Sequence, residues 1–205
     1  MPRWTMIALA SLLAFAAPAS AQYIGIFMDK EATTCAAQLG PAPFVDLHVV
    51  AALEGDVPTM TGAQFQITGM PEGWSSATAL WVPADGVINV GHPLFPGPPH
   101  EDTPGVNVAF GTCQGSATEP TKVPLGRLIL VGAPTPNNVH LRVEGFKLIP
   151  IDPDCVFVTN CDAPLGYPKL CVGGGEFVLN GTSSAGCGAV AVSEETWSQV
   201  KQLYR

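Results

Sequence analysis

Residues 45–53 of the chain have the sequence Val-Asp-Leu-His-Val-Val-Ala-Ala-Leu, and residues 63–68 have the sequence Ala-Gln-Phe-Gln-Ile-Thr. In both stretches apolar side chains occupy every second position. Because successive side chains of a β-strand point to opposite faces, this alternation is typical of a strand with one face in the core. The same period of two recurs at residues 106–110 and 139–143. The pattern predicts half-buried strands in antiparallel sheets.

Turns rich in glycine and proline separate these stretches from other short apolar segments. The chain contains 22 Gly and 20 Pro, and charged residues make up only 13% of it. Many short strands between such turns are typical of a sandwich or barrel. We therefore expect an all-β fold, specifically an antiparallel β-sandwich of the immunoglobulin or cohesin-like type. Further strands are predicted at residues 23–28, 86–90, 125–131, 146–149, 156–159 and 176–179.

The first 21 residues have the order of a secretory signal peptide. Arg3 precedes an apolar run over residues 6–17, and small residues end at Ala21 before Gln22. The run is shorter than the roughly 20 residues that span a bilayer. We expect cleavage after Ala21, and we expect no transmembrane segment in the 184 residues that remain. The predicted location is the periplasm, the cell surface or the extracellular medium.

Changes of composition divide the mature chain into three predicted regions. Residues 22–150 are predicted to form the sandwich, and residues 151–192 a disulfide-rich β extension packed on it. Residues 193–205 are predicted to form a short amphipathic helix with Ser193 as its N-cap.

Six cysteines predict three disulfides, because their number is even and the expected compartment is oxidising. The sequence contains no Cys-x-x-Cys spacing, which makes a zinc or redox site a poor alternative. Six cysteines allow 15 pairings. We favour Cys35–Cys113, whose long loop would contribute about 4–5 kcal/mol, together with Cys161–Cys187 and Cys155–Cys171. The six cysteines are Cys35, Cys113, Cys155, Cys161, Cys171 and Cys187.

The charge of the chain argues against nucleic acid as a partner. The formal net charge is −8, and the Lys and Arg residues form no cluster. Binding to a phosphate backbone requires such a cluster. We instead expect the partner to be an extracytoplasmic protein or a glycan.

Three carboxylates are candidates for a calcium site. Asp152, Asp154 and Asp162 lie close together in the cysteine-rich region, and calcium prefers several oxygen ligands from one tight loop. Their spacing does not match an EF-hand, and Asp is also a common turn former. No cofactor is therefore expected, with calcium as the alternative.

A second candidate metal site lies in the proline-rich stretch 91–105. Imidazole and carboxylate groups bind zinc or copper when they converge, and a solvated loop is the simpler interpretation. The candidate ligands are His92, His100, Glu101 and Asp102.

Two tryptophans are candidate ligand contacts. Trp74 and Trp81 would favour a carbohydrate-binding module if they formed a pair on one exposed surface, and they would be core residues if buried. A secreted hydrolase is a further alternative, but Ser183 and Ser184 do not lie in a Gly-x-Ser-x-Gly motif. The leading hypothesis is a non-catalytic binding or structural module.

The end of the chain and one of its predicted strands resemble segments of other exported proteins. Its last nine residues resemble a W-x-x-[VI]-K-x-L-Y-R terminus of uncharacterised exported bacterial proteins. Residues 62–71 resemble a strand of the same proteins and, more distantly, a strand of cohesin-type sandwiches. The resemblance implies an exported sandwich that binds other proteins. The terminus is interpreted either as a helix docked on the sandwich or as a tag for export machinery. The matching residues are Trp197, Val200, Lys201, Leu203, Tyr204 and Arg205.

Overall fold

The structure, a computed structural model, describes residues 22–41, 43–55, 57–97, 102–146, 155–161, 169–182 and 187. These residues form twelve β-strands and no helix. The strands are β1 (Tyr23–Phe27), β2 (Ala36–Ala37), β3 (Phe44–Leu53), β4 (Thr59–Thr68), β5 (Ala79–Pro83), β6 (Val87–His92), β7 (Gly105–Gly115), β8 (Thr121–Val131), β9 (Val139–Glu144), β10 (Val156–Thr159), β11 (Lys169–Gly174) and β12 (Glu176–Leu179).

Backbone pairing joins the described strands into one continuous open sheet. The order is β2-β12-β9-β4-β10-β11-β1-β3-β8-β5, while β7 also pairs with β4 and carries β6 on its other side. Two pairs, β1–β11 and β2–β12, are parallel, and the other pairs are antiparallel. The all-β, mainly antiparallel class predicted from the period-two pattern is confirmed.

The described part of residues 151–192 contributes strands to the sheet itself. β10 pairs with β4 and β11, and β11 pairs in turn with β1. Strands from the last third of the chain therefore connect the first strand to the fourth. β10 and β11 are thus interior strands of the sheet. The sequence predicted instead that this region packs on the sandwich as an extension.

The core follows the predicted alternation in β3, with one irregularity. Leu47, Val49, Ala51 and Leu53 are buried as expected, and Val50 is buried as well. The register with β8 shifts between Val49 and Val50, because β8 has one more residue there. On β8 the buried positions accordingly change from Val123 and Leu125, before and at the bulge, to Leu128 and Leu130 after it.

The two strands β5 and β6 lie at edges of the described sheet, and side chains link them. Trp81 Nε1 donates to Asn89 Oδ1 at 2.9 Å, and Asn89 Nδ2 donates to the Gly91 carbonyl at 3.1 Å. The Trp81 ring also contacts Phe65 of β4 edge-on, with 6.2 Å between ring centroids. These side-chain contacts join the two edge strands β5 and β6, which do not pair with each other through their backbones.

The three disulfides differ from two of the three predicted pairs. They are Cys35–Cys187, Cys113–Cys161 and Cys155–Cys171. The prediction for Cys155–Cys171 is confirmed, and the predictions for Cys35–Cys113 and Cys161–Cys187 are wrong.

Sheet topology explains the two wrong pairs. Parallel pairing of β2 with β12 brings Cys35 to the C-terminal third, where Val178 N donates to the Cys35 carbonyl at 2.9 Å. Strands β7 and β10 flank β4, which places Cys113 beside Cys161. Three disulfides in one small domain indicate an oxidising environment outside the cytoplasm.

The predicted signal peptide and C-terminal helix both lie outside the described residues, so both remain predictions. Within the described part of the chain, no helix could cross a lipid bilayer.

Candidate functional site

A cleft of about 540 Å³ lies where the β5–β6 turn meets irregular parts of β7 and β8. We call it the bulge cleft. It is lined by Lys30, His48, Val82, Pro83, Ala84, Asp85, Gly86, Phe110, Gly111, Thr112, Gln114, Pro124, Gly126 and Arg127. Its volume falls within the roughly 300–1,000 Å³ typical of small-molecule sites.

Two breaks in strand register produce the bulge cleft. On β4, Met60 pairs with Gln114 and Gly62 pairs with Ala109. Residues 110–113 of β7 therefore lie opposite the single residue Thr61 and arch away from β4, and we call them the β7 arch. On β8, Leu125 is the extra residue of the bulge, and its carbonyl accepts from Ala84 N of the β5–β6 turn at 3.1 Å. Bulges commonly lie next to binding sites because they redirect side chains.

Local bonds hold the β7 arch in place. Gln114 Nε2 donates to the carbonyl and the hydroxyl of Thr112, at 3.2 and 3.0 Å. The Cys113–Cys161 disulfide ties the arch to the end of β10. The arch is therefore fixed to the sheet by a covalent bond and by hydrogen bonds.

The lining combines charged groups of both signs with apolar surface. Arg127 Nη1 lies 2.6 Å from Asp46 Oδ2, and His48 is opposite Arg127 in the register of β3 and β8. Asp85 contributes a carboxylate from the turn, while Phe110 contributes half-buried apolar surface. The cleft thus offers donors and acceptors around an apolar patch. The alternation of residues 45–53 predicts an outward side chain at His48, but it does not predict that His48 lies beside Arg127.

The two predicted tryptophan contacts do not form an exposed pair. Trp74 is only 7% exposed, and its Nε1 donates to the Pro134 carbonyl at 2.7 Å. Trp81 is half-buried and packs against Gly126, where an added Cβ would lie 2.4 Å from the indole ring. Trp81 therefore supports the floor of the bulge cleft from within.

The structure describes few of the predicted metal ligands. Asp152, Asp154 and Asp162 lie outside the described residues, as do His100 and Glu101. Asp102 is described and exposed. Within the described residues, no group of three or more His, Cys, Asp or Glu side chains is placed to hold a metal ion.

The His92 side chain forms hydrogen bonds within its own turn. Its Nδ1 accepts from Leu94 N and Phe95 N at 3.2 and 3.3 Å. Burial lowers the pKa of His92 below its ordinary value, which favours the neutral ring that these two bonds require. The Nδ1 atom is therefore engaged and is not free to bind a metal.

A second, more open cleft of about 730 Å³ lies at the other end of the sheet and includes Asn180. The Asn180 side chain accepts from Leu39 N at 2.6 Å and donates to the Thr135 carbonyl at 2.7 Å. Because this amide already joins two loops, its role is structural and it has little capacity left for a ligand.

A charged cluster joins β9 to β12. Glu176 Oε1 lies 2.8 Å from Arg142 Nε and 3.0 Å from His140 Nδ1, a buried atom with no well-directed hydrogen bond. Burial opposes ionisation of Glu176, but the hydrogen bond from Arg142 and the charges of His140 and Arg142 outweigh it and lower the pKa of Glu176 below its usual 4.5.

Replacing this carboxylate should make stability less dependent on pH. A group whose pKa is lower in the folded state stabilises the fold above its unfolded pKa and loses that effect as the pH falls through its folded pKa. We expect Glu176→Gln to lower the free energy of unfolding by roughly 1 kcal/mol at neutral pH, because Arg142 is half exposed. The deficit should shrink as the pH falls below 4.5. Melting curves of both proteins across this range provide the measurement, and a deficit independent of pH would contradict the assignment.

Compared with known proteins, the chain matches no family model, no curated protein and no solved structure.

Proposed function

We propose that the protein is an exported, non-catalytic binding module of the β-sandwich type and that the bulge cleft is its ligand site. The main support for this proposal is that two breaks in strand register bring Arg127, His48 and Gln114 around one cleft, on a scaffold linked by disulfides. Rigid elements hold binding groups more accurately than loops do. The contact of Phe65 with Trp81 across the core supports the sandwich type.

The lining is best suited to a hydroxyl-rich ligand, and a glycan is the proposed class. Arg127 and Lys30 supply donors, and Asp85 and the side-chain oxygen of Gln114 supply acceptors. Because the cleft contains charges of both signs, it has no strong excess of positive or negative charge that would favour a highly charged ligand. Phe110 adds an apolar surface of the kind that packs against a sugar ring. In this proposal the ligand binds in the bulge cleft, whereas the sequence indicated Trp74 and Trp81 as the candidate residues that contact a carbohydrate.

The test is a titration of the ¹⁵N-labelled mature protein with a panel of soluble neutral and uronate-containing oligosaccharides. We expect amide shifts to concentrate at the β5–β6 turn and the β7 arch. Arg127→Ala should weaken binding by about tenfold or more, the effect of losing one charged hydrogen bond. Arg142→Ala is the matched control, because Arg142 is also paired with a carboxylate but lies on β9 outside the cleft. Arg142→Ala should leave the affinity unchanged.

Two outcomes would overturn this proposal. The first is that no saccharide of the panel shifts the cleft amides. The second is that Arg127→Ala and Arg142→Ala weaken binding equally, because the ligand would then contact another surface.

A further inference from the structure

A strip of apolar side chains lies on the outward face of β3, β8 and β5. Phe44 is 80% exposed and pairs in register with Val131, which is 39% exposed. Leu80, also 39% exposed, pairs with Ile129. We call these four residues the Phe44 strip. Three neighbouring strands thus present contiguous apolar surface, whereas scattered single residues would need no explanation.

Polar residues border the Phe44 strip on one side. Asp46 is opposite Ile129, and its carboxylate forms the ion pair with Arg127 one row further along. An apolar surface with a polar border is typical of an interaction site. The proposed glycan site lies beyond this border, so the strip is a separate feature.

The chain contains an amphipathic segment outside the described residues that fits the strip. Trp197, Val200, Leu203 and Tyr204 fall on one face of a helix over residues 193–205. An isolated helix of this length is marginal in water and becomes ordered by docking. The other segments outside the described residues of the mature chain are single positions or stretches of at most eight residues between described parts.

Distances along the chain allow the segment to reach the strip. Cys187 is bonded to Cys35, with 5.2 Å between their Cα atoms. Phe44 is nine residues after Cys35, hence at most about 32 Å from it. Residues 188–192 extend up to about 17 Å, and a helix over residues 193–205 adds about 20 Å. Their sum, about 37 Å, equals the upper limit of about 37 Å on the distance from Cys187 to Phe44.

We propose that residues 193–205 form a helix that docks its Trp197 face on the Phe44 strip. The Cys35–Cys187 disulfide tethers the start of this segment to the edge of the sheet. The tether raises the effective concentration of the helix at the strip, since a short linker makes docking intramolecular. This inference is independent of the proposed glycan site.

The test is a double-mutant cycle on the full mature protein. Phe44→Ala and Trp197→Ala should each lower the melting temperature by about 10 °C, as truncation of a buried aromatic side chain does in a domain of this size. The double variant should melt no lower than the less stable single variant, because both remove the same contact. Ile88→Ala is the matched control: Ile88 is 66% exposed on β6, and its replacement should leave the melting temperature unchanged and add nothing to Trp197→Ala.

Every other outcome overturns the proposal. Unchanged melting in Phe44→Ala means that the strip is free in the isolated protein and is open to another partner. Additive losses mean that Trp197 docks elsewhere. A dimer of the wild-type protein that Phe44→Ala dissociates, detected by analytical ultracentrifugation, means that a second copy occupies the strip.

Discussion

The Gly69→Ala variant is expected to lose about 4 kcal/mol of its free energy of unfolding, a large part of the total for a domain of this size. Gly69 follows β4 with a φ of +78°, a conformation that costs other residues about 1–2 kcal/mol. An added Cβ would also lie 1.8 Å from the His140 carbonyl oxygen of β9. Because that oxygen belongs to the backbone of a paired strand, the sheet itself must shift to relieve the contact. Chemical denaturation monitored by circular dichroism measures the loss.

Gly86 provides the matched control for the steric part of this loss. Its φ of +74° is nearly the same, but nothing lies within 4 Å of an added Cβ. We expect Gly86→Ala to cost about 1 kcal/mol, the conformational part alone. Equal losses in the two variants would show that the close approach of Gly69 to β9 does not constrain the fold.

Removing the Cys35–Cys187 disulfide is expected to have the largest effect among the three bridges. Its residues are 152 apart in sequence, against 48 for Cys113–Cys161 and 16 for Cys155–Cys171. In the chain-entropy model a longer closed loop restricts the unfolded chain more. Replacing each pair by serines should therefore cost about 5, 4 and 3 kcal/mol in that order.

Each double-serine variant retains the other two bridges, so the three serve as controls for one another. Urea unfolding of the non-reduced proteins gives the free energies. A greater loss for the Cys155–Cys171 pair than for Cys35–Cys187 would contradict the model. It would indicate that packing around the buried Cys155 outweighs the restriction of the unfolded chain.

Periodicity in the sequence predicted nine of the twelve described strands but neither β5 nor β11, and it did not predict which strands pair. Of the strand predicted at residues 146–149, Phe146 is not in a strand and the other three positions lie outside the described residues. Strands β10 and β12 have the predicted bounds, because their apolar runs end at clear turn residues. The short strand β2 has no pattern of its own and forms by parallel pairing with β12. That long-range pairing decides the position of Cys35, which is why the grouping of cysteines along the chain led to wrong partners.

The candidate site was less accessible to sequence reasoning than the fold. His48 and Arg127 are 79 residues apart in sequence and become neighbours only through the pairing of β3 with β8. The β7 arch depends on a register shift against β4, which no local pattern encodes. Trp74 was a plausible ligand contact by residue type, but it is buried and its indole donates a hydrogen bond to the Pro134 carbonyl.

The parallel pairing of β1 with β11 has a consequence for the order of events in the cell. Tyr23 is next to Gly173 in the finished sheet, yet a chain that crosses a membrane from its N-terminal end delivers these two residues far apart in time. Throughout that interval β1 lacks one of its two neighbours, and β10 and β11, which connect β1 to β4, have not yet arrived. Such long-range pairing delays folding, and the waiting intermediate exposes apolar surface. The proposed exported protein would therefore complete its sheet only after residues 169–174 have crossed the membrane.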